Sequence, residues 1–171
     1  MGGGLGSPKP LAEAAGCDLD AFASGEPGLD DWPRRRALSG EGRHARTYVV
    51  LAGTRVAAYY CLSAGSVPLA HFPSAEYRRN APGPVPVLVL GRVAVDREFQ
   101  GRGIGSTILR HCLRQYLAEA DIVGVRALVV HPLNERVGEF YRSLGFLPMG
   151  GGEPALFMPT ETVEKAFASE S

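Results

Sequence analysis

The stretch from Val85 to Leu113 constrains the fold of this chain more than any other. Val85–Val95 (VPVLVLGRVAV) is an almost continuous apolar run with the length of a strand that is mostly buried. Shortly after it, Gln100-Gly101-Arg102-Gly103-Ile104-Gly105 breaks the pattern. Ile104, Ile108, Leu109, Cys112 and Leu113 then recur on one helical face, so Gly103–Glu119 reads as an amphipathic helix. A buried strand, a glycine-rich turn and a helix in that order call for a sheet covered by helices. Glycines at 101, 103 and 105 let the backbone approach a ligand closely and turn its N–H groups toward it. The helix N-terminus directly behind adds unpaired donors and a positive dipole end, so the turn suits a pyrophosphate.

The remaining chain supplies elements of both periods. Gly25-Glu26-Pro27 opens a helical segment, Pro27 being tolerated in a first turn, and Pro33 is expected to kink it before Arg34–Leu38 continue. Ala45–Leu51 and Arg55–Leu62 are rich in β-branched and aromatic residues and flank Ala52-Gly53-Thr54, a hairpin signal. Ser63–Pro84 reads as a long connection with a short helix near Ser74–Arg79. Val125–Val130 reads as a strand. Asn134 suits an N-cap, Val137, Phe140, Tyr141 and Leu144 form the next helical stripe, and Gly145 suits the position after the helix end. Within that stripe Phe140 is expected to face the core and Tyr141 to reach a groove. Ala155–Met158 is the last strand and Glu161–Ala168 a terminal helix. The expected fold is therefore α/β (an α+β sandwich), a central sheet with helices on both faces. Its 171 residues suit one domain over 10–171, preceded by a flexible lead over 1–9 with four glycines and a proline.

Composition excludes several classes. Hydrophobic residues at 45% and charged residues at 21% are globular values, which argues against disorder. No apolar stretch approaches the ~18 residues of a membrane-spanning helix, so no membrane partner is expected. The opening MGGGLGSPKP lacks the basic segment and apolar run of a secretory signal. Cys17, Cys61 and Cys112 are odd in number and lack CxxC spacing, which points to a reducing, cytoplasmic compartment and no metal site. Net charge is zero, yet residues 34–114 carry thirteen arginines against four acids, while both flanks are acidic. The planar fork of Arg binds phosphate bidentately, so the middle segment suits a polyanion; a merely solvated basic face is the alternative.

Among nucleotide-binding turns, a Walker P-loop is excluded because the turn contains no Lys, and a Rossmann fingerprint lacks its third glycine at Ser106. The spacing that fits is Q/R-x-x-G-x-G/A, realised by Gln100, Gly103 and Gly105. Here the chain resembles the GNAT (Gcn5-related) N-acetyltransferase superfamily. A second block, HPLNERVGEFYRSLGFLP (His131–Pro148), is similar to that superfamily's N-x-x-A-x-x-FY-x-x-x-GF, with Asn134, Phe140, Tyr141, Gly145 and Phe146 matching and Val137 in the usual Ala position. Phe22–Trp32 and LGRVAVD (Leu90–Asp96) resemble one branch, the TacT-like toxins of bacterial toxin–antitoxin pairs. Departures are Pro33 where Leu is usual and Val137-Gly138 for Ala-Ala.

The resemblance implies a GNAT fold with a mixed, mostly antiparallel sheet, and acetyl-CoA as co-substrate. It implies that Val93, Ala94 and Val95 on the strand contact that cofactor. Gln100, Gly101, Arg102, Gly103, Ile104, Gly105 and Ser106 in the turn, and Asn134 and Phe140 beyond, complete the set. The backbone N–H of Val95 would polarise the thioester carbonyl, and the Tyr141 hydroxyl would protonate the departing thiolate. Asn134 also reads as a plain helix cap, Tyr141 as a core aromatic, and His131 as structural. The implied substrate is the amino group of aminoacyl-tRNA, whose acetylation blocks translation. Arg78, Arg79 and Arg92, with Arg34–Arg36, are candidates for its backbone. A ribbon-helix-helix antitoxin, whose complex with the toxin binds operator DNA, and a homodimer are the implied assemblies. A small amine or a protein N-terminus is the alternative acceptor, and a non-catalytic acyl-CoA sensor the alternative class.

Overall fold

A computed structural model describes residues 5–14, 16–30, 45–79, 83–152 and 154–168. Its strands are β1 (Lys9–Pro10), β2 (Arg46–Ala52), β3 (Arg55–Val67), β4 (Val85–Val95), β5 (Ala127–Val130), β6 (Leu147–Pro148) and β7 (Leu156–Pro159). Its helices are α1 (Ala75–Arg78), α2 (Ile104–Val123), α3 (Glu135–Ser143) and α4 (Thr160–Ala168), with 3-10 turns at Leu11–Glu13, Leu69–His71 and Arg97–Phe99. The strands form one mixed sheet in the order β1-β2-β3-β4-β5-β7-β6. Of the pairings, β1/β2, β2/β3, β5/β7 and β6/β7 are antiparallel and β4/β5 is parallel. Residues 27–30 are helical as expected. The kink at Pro33 and the helix over Arg34–Leu38 lie outside the described residues.

The chain divides into two compact units, Met1–Ser63 with Gly91–Cys112, and Ala64–Leu90 with Leu113–Ser171. In the first, β2 and β3 form the expected hairpin, closed by Ala52 opposite Arg55, with Gly53 at φ 65° in its turn. That left-handed backbone is where glycine is needed. Leu11, Ala14, Phe22, Val49, Val56, Tyr59, Cys61 and Ala94 pack as one buried cluster. Phe22 meets Tyr59 edge to face at 5.3 Å. The Tyr59 hydroxyl donates to the Leu29 carbonyl, and burial pushes its pKa up. The expected lead is partly tied down: the Gly6 N–H donates to Leu51 O, and Lys9 pairs with Val49, whereas residues 1–4 lie outside the described residues.

In the second unit Phe72, Val85, Val87, Ala127, Val129, Ala155 and Phe157 form the buried cluster. Tyr116 of α2 is hydrogen-bonded to Thr160 Oγ1 at 2.6 Å, joining two helix surfaces through a pair of hydroxyls. Desolvation raises the Tyr116 phenol to about 12. Two features depart from expectation. Ser63–Val67, read as the start of a connection punctuated by Pro and Gly, continues β3 with alternating exposure, since sheet pairing overrides weak strand propensity. The two-residue β6 pairs with β7 and was too short to carry a period.

All three cysteines are free thiols, and burial raises the Cys112 thiol. Among the described residues no helix is long and apolar enough to cross a membrane, and no group of His, Cys, Asp and Glu could hold a metal ion.

Candidate active site

The glycine turn is anchored at the strand end by Asp96, a buried carboxylate whose signal the sequence carried unread. Asp96 Oδ2 accepts from the Ala23 N–H at 3.0 Å. Oδ1 accepts from the Glu98 N–H at 3.0 Å and from Arg55 at 3.3 Å. It thus caps the Arg97–Phe99 turn while its own N–H donates to Ala57 O at 2.8 Å. An Asp placed directly after a strand and before a turn is a capping position, and that was the available clue.

Gln100 braces the next step. Its side-chain amide nitrogen donates to Val95 O at 2.9 Å and to Ser24 O at 3.0 Å. Both amide hydrogens are therefore engaged within the protein, which makes Gln100 a positioning residue through its side chain. Ser24 is fixed in turn by the Asp30 carboxylate, which accepts from its N–H at 2.7 Å and its hydroxyl at 2.6 Å. Ser24 lies in the Phe22–Trp32 stretch that carried the resemblance, but its bond to Gln100, seventy-six residues away, is one that no local pattern encodes.

Beyond Gln100 the backbone turns left-handed twice, at Gly101 (φ 79°) and Gly103 (φ 76°), and α2 begins at Ile104. The Gly103 carbonyl accepts from the Thr107 N–H at 3.3 Å, so the first turn of the helix is formed. The N–H groups of Ile104, Gly105 and Ser106 are those that a helix leaves without an internal acceptor. A Cβ built at Gly101, Gly103 or Gly105 would meet no protein atom within 4 Å. At Gly105 neither backbone strain nor packing calls for glycine, which leaves room for a ligand as its physical reason. The Arg102 guanidinium lies 5.3 Å from the Phe99 ring centre, and Arg55 lies 5.5 Å from it. The Ile104 and Ala94 side chains are buried in the core, so only their backbones can serve a ligand, whereas Val93 and Val95 are half-buried.

The second block of candidates lies on α3. Asn134 is the N-cap, its Oδ1 accepting from the Val137 N–H at 3.0 Å. The helix ends in a Schellman motif: the Gly145 N–H donates to Arg142 O at 3.1 Å and the Phe146 N–H to Tyr141 O at 3.2 Å, with Gly145 at φ 105°. The rings of Tyr141 and Phe146 meet at 5.3 Å, the hydrophobic contact that accompanies this cap. The expected orientation of Phe140 is corrected. Phe140 is 39% exposed, and it is Tyr141, 6% exposed, that is buried, together with Gly138. Gly138, without a side chain, brings the helix backbone against Pro132, so the 138–141 line faces inward and Phe140 turns out.

Of the basic candidates, Arg78 and Arg79 are exposed at the end of α1, with Arg78 Nε donating to Ser74 O at 3.3 Å. Arg92 is half-buried on β4, in the other compact unit. Arg34, Arg35 and Arg36 lie outside the described residues. His131 is exposed.

A cavity of about 250 Å³ opens beside Asn134. Pro132, Leu133, Asn134, Glu135, Gly138 and Arg142 form one side, and Pro148, Met149, Pro154, Ala155 and Leu156 the other. Arg142 and Glu135 are paired at 2.6 Å. Sequence reading did not anticipate it, since its far wall, Pro148, Met149 and Pro154–Leu156, comes from the two arms of a short hairpin with no recognisable pattern.

Comparison with known proteins agrees with this construction. The chain is 42% identical over 144 residues to a tRNA-acetylating toxin of Mycobacterium tuberculosis, covering 84% of this chain and 85% of the relative. Its fold superposes on AtaT complexed with acetyl-methionyl-tRNAfMet with a TM-score of 0.89 at 32% identity, covering 96% of this chain and all of the other. A tyrosine-to-phenylalanine mutant of AtaT bound to the C-terminus of the antitoxin AtaR and acetyl-CoA gives a TM-score of 0.81 at 31% identity, over 96% and 98% of the two chains. The model of the acetyltransferase (GNAT) family matches residues 15–146, and with the Asp96-anchored glycine turn in place, the chain belongs to that family.

Proposed function

We propose that this acetyltransferase transfers the acetyl group of acetyl-CoA to the amino group of aminoacyl-tRNA and so arrests translation in the cytoplasm. The observation that carries the reading is the turn itself: two left-handed glycines and a third with no structural need, opening a helix whose first N–H groups lack acceptors. That geometry suits a pyrophosphate, and the M. tuberculosis relative supports tRNA as the acceptor.

The residues divide the work by position. Backbone N–H groups of 101–106 bind the pyrophosphate, with Arg102 free to add charge from its seat on Phe99. The Val95 N–H polarises the thioester carbonyl, while Gln100 and Asp96 fix that strand end. Asn134 holds the cofactor arm, and Phe140 borders it. The incoming amine attacks neutral. Aminoacyl amines titrate near or below the ~7.7–8.0 of a chain terminus, so solvent suffices to take the proton. The amine nitrogen bonds to the acetyl carbon, the carbon–sulfur bond breaks, and the thiolate takes its proton from the Tyr141 hydroxyl.

Arg78, Arg79 and Arg92 contact the tRNA backbone by charge. A ribbon-helix-helix antitoxin neutralises the enzyme, the pair binds operator DNA, and the toxin works as a homodimer. The antitoxin and the DNA contact draw on the antitoxin complex of AtaT and on the DNA-bound AtaT–AtaR structure, while the ribbon-helix-helix type and the homodimer rest on the family resemblance alone. The test is mass spectrometry of charged tRNA, a small amine and a peptide after incubation with acetyl-CoA. The reading expects an acetyl group on the aminoacyl amine alone. Acetylation of only the small amine or the peptide would replace it with the alternative acceptor.

A further inference from the structure

Phe99 is an aromatic ring that meets charge rather than core. It closes the Arg97–Phe99 turn, where its N–H donates to Asp96 O at 2.9 Å, and it stands directly before Gln100. The ring is half-buried and is a member of neither buried cluster described above. Two guanidinium groups stand over it, Arg102 at 5.3 Å and Arg55 at 5.5 Å from the ring centre. At that range the negative face of an aromatic ring attracts a cation. All three residues lie in the first compact unit.

The two cations differ in what answers their charge. Arg55 donates to Asp96 Oδ1 at 3.3 Å and to Glu98 Oε2, so two carboxylates neutralise it. Among the described residues no carboxylate pairs with Arg102, which is exposed. Two bare guanidiniums at one ring would repel each other. With Arg55 answered by its carboxylates, the ring holds Arg102 without that repulsion. Contact with a ring also gives the five N–H donors of the Arg102 guanidinium no oxygen acceptor. They remain for an anion, and a planar fork suits phosphate.

The ring is fixed from both ends. Upstream, Asp96 Oδ1 accepts from the Glu98 N–H at 3.0 Å and caps the turn that Phe99 closes. Downstream, the Gln100 side chain is tied to Val95 O and Ser24 O. Arg102 is the one cation in residues 100–106, and it stands between the left-handed Gly101 and Gly103. Those glycines give its side chain no wall to lean on. The Phe99 ring is what locates this guanidinium beside the turn.

We propose that Phe99 is a positioning residue for acetyl-CoA: with Arg55 neutralised by Asp96 and Glu98, its ring holds the Arg102 guanidinium ready for a phosphate of the cofactor. This rests on the glycine turn receiving that cofactor's phosphates. A long side chain held in place beforehand loses less freedom on binding, and that is the gain the ring supplies. The pyrophosphate and the ribose 3′-phosphate of the cofactor offer the guanidinium the same chemistry. Acetyl-dephospho-CoA, which lacks the 3′-phosphate, tells them apart.

The experiment is calorimetric titration of the full chain with acetyl-CoA and with acetyl-dephospho-CoA, beside melting curves. The variants are Phe99→Leu, Phe99→Tyr, Arg102→Ala and the Phe99→Leu/Arg102→Ala pair. Phe99→Leu keeps apolar bulk and removes the ring face. It should weaken acetyl-CoA binding about fivefold, the effect of leaving one long side chain to be ordered on binding. Arg102→Ala should weaken it about tenfold, as one charge-assisted phosphate contact is lost. The pair should bind no worse than Arg102→Ala alone, because Phe99 acts through that guanidinium. Phe99→Tyr, which keeps the ring face, should bind as wild type. A loss confined to acetyl-CoA assigns the contact to the 3′-phosphate, and a loss shared by both ligands assigns it to the pyrophosphate. Unchanged affinity in Phe99→Leu or Arg102→Ala, a further loss in the pair, no recovery in Phe99→Tyr, or loss of fold in Phe99→Leu would overturn the role of Phe99 alone. Failure of the wild type to bind acetyl-CoA would overturn the reading of the turn and this role with it.

Discussion

Asp96 is the residue whose removal separates structure from ligand binding most sharply. Its carboxylate answers two backbone N–H groups and Arg55 from a position only 2% exposed. Asp96→Ala orphans those donors and should cost about 2–4 kcal/mol, read as a lower urea midpoint with an unchanged slope. Gly105 gives the opposite sign. Its backbone is unstrained and its Cβ position open, so Gly105→Ala should raise stability by ~0.5 kcal/mol through the unfolded chain. The same methyl enters the space proposed for the pyrophosphate, and calorimetry should show acetyl-CoA binding weakened by roughly tenfold, about 1.4 kcal/mol. Unaltered affinity at 105 would mean that the cofactor does not approach this glycine.

At the scale of elements, the hydrophobic period exposed most of the architecture. β4 spans Val85–Val95 as its apolar run requires, and α2 extends the expected helix to Val123, where Gly124 turns left-handed. The caps of α3 were legible too, because Asn134 and Gly145 act on their own neighbours in sequence. Gly145→Ala should destabilise the chain by about 1–2 kcal/mol in thermal melting. Met158 Cε lies 3.6 Å from the added methyl, an ordinary contact, so the cost comes from the left-handed backbone. What escaped the sequence depends on distant partners. Phe140 and Tyr141 satisfy the same helical stripe, and tertiary packing, with Gly138 near Pro132 and Tyr141 against Phe146, goes with Tyr141 turning inward. Gln100 bonds back to Ser24, seventy-six residues away, and His71 covers Gly151 at similar separation. No local rule encodes either contact. The glycine turn itself was readable because its chemistry is local: a strand end, three glycines and a helix start occupy consecutive positions.

For the whole molecule, a neutral net charge conceals an arginine excess in residues 34–114, and the proposed tRNA binding by charge draws on it. Replacing Arg78 and Arg79 with Glu should weaken tRNA binding and flatten its dependence on salt, while acetyl-CoA affinity stays unchanged. Equal binding by wild type and double variant across a salt series would remove these two side chains from the interface. In the proposed function this chain moves an acetyl group from acetyl-CoA to an aminoacyl amine, with Tyr141 protonating the leaving thiolate. Single-turnover acetylation of charged tRNA by Tyr141→Phe tests it most directly, because the ring and its contacts with Phe140 and Phe146 are kept and only the hydroxyl is lost. The predicted result is a rate lower by ~10²–10⁴ with an unchanged melting temperature and intact cofactor binding. A rate within about threefold of wild type, far short of what a lost acid–base group costs, would contradict it.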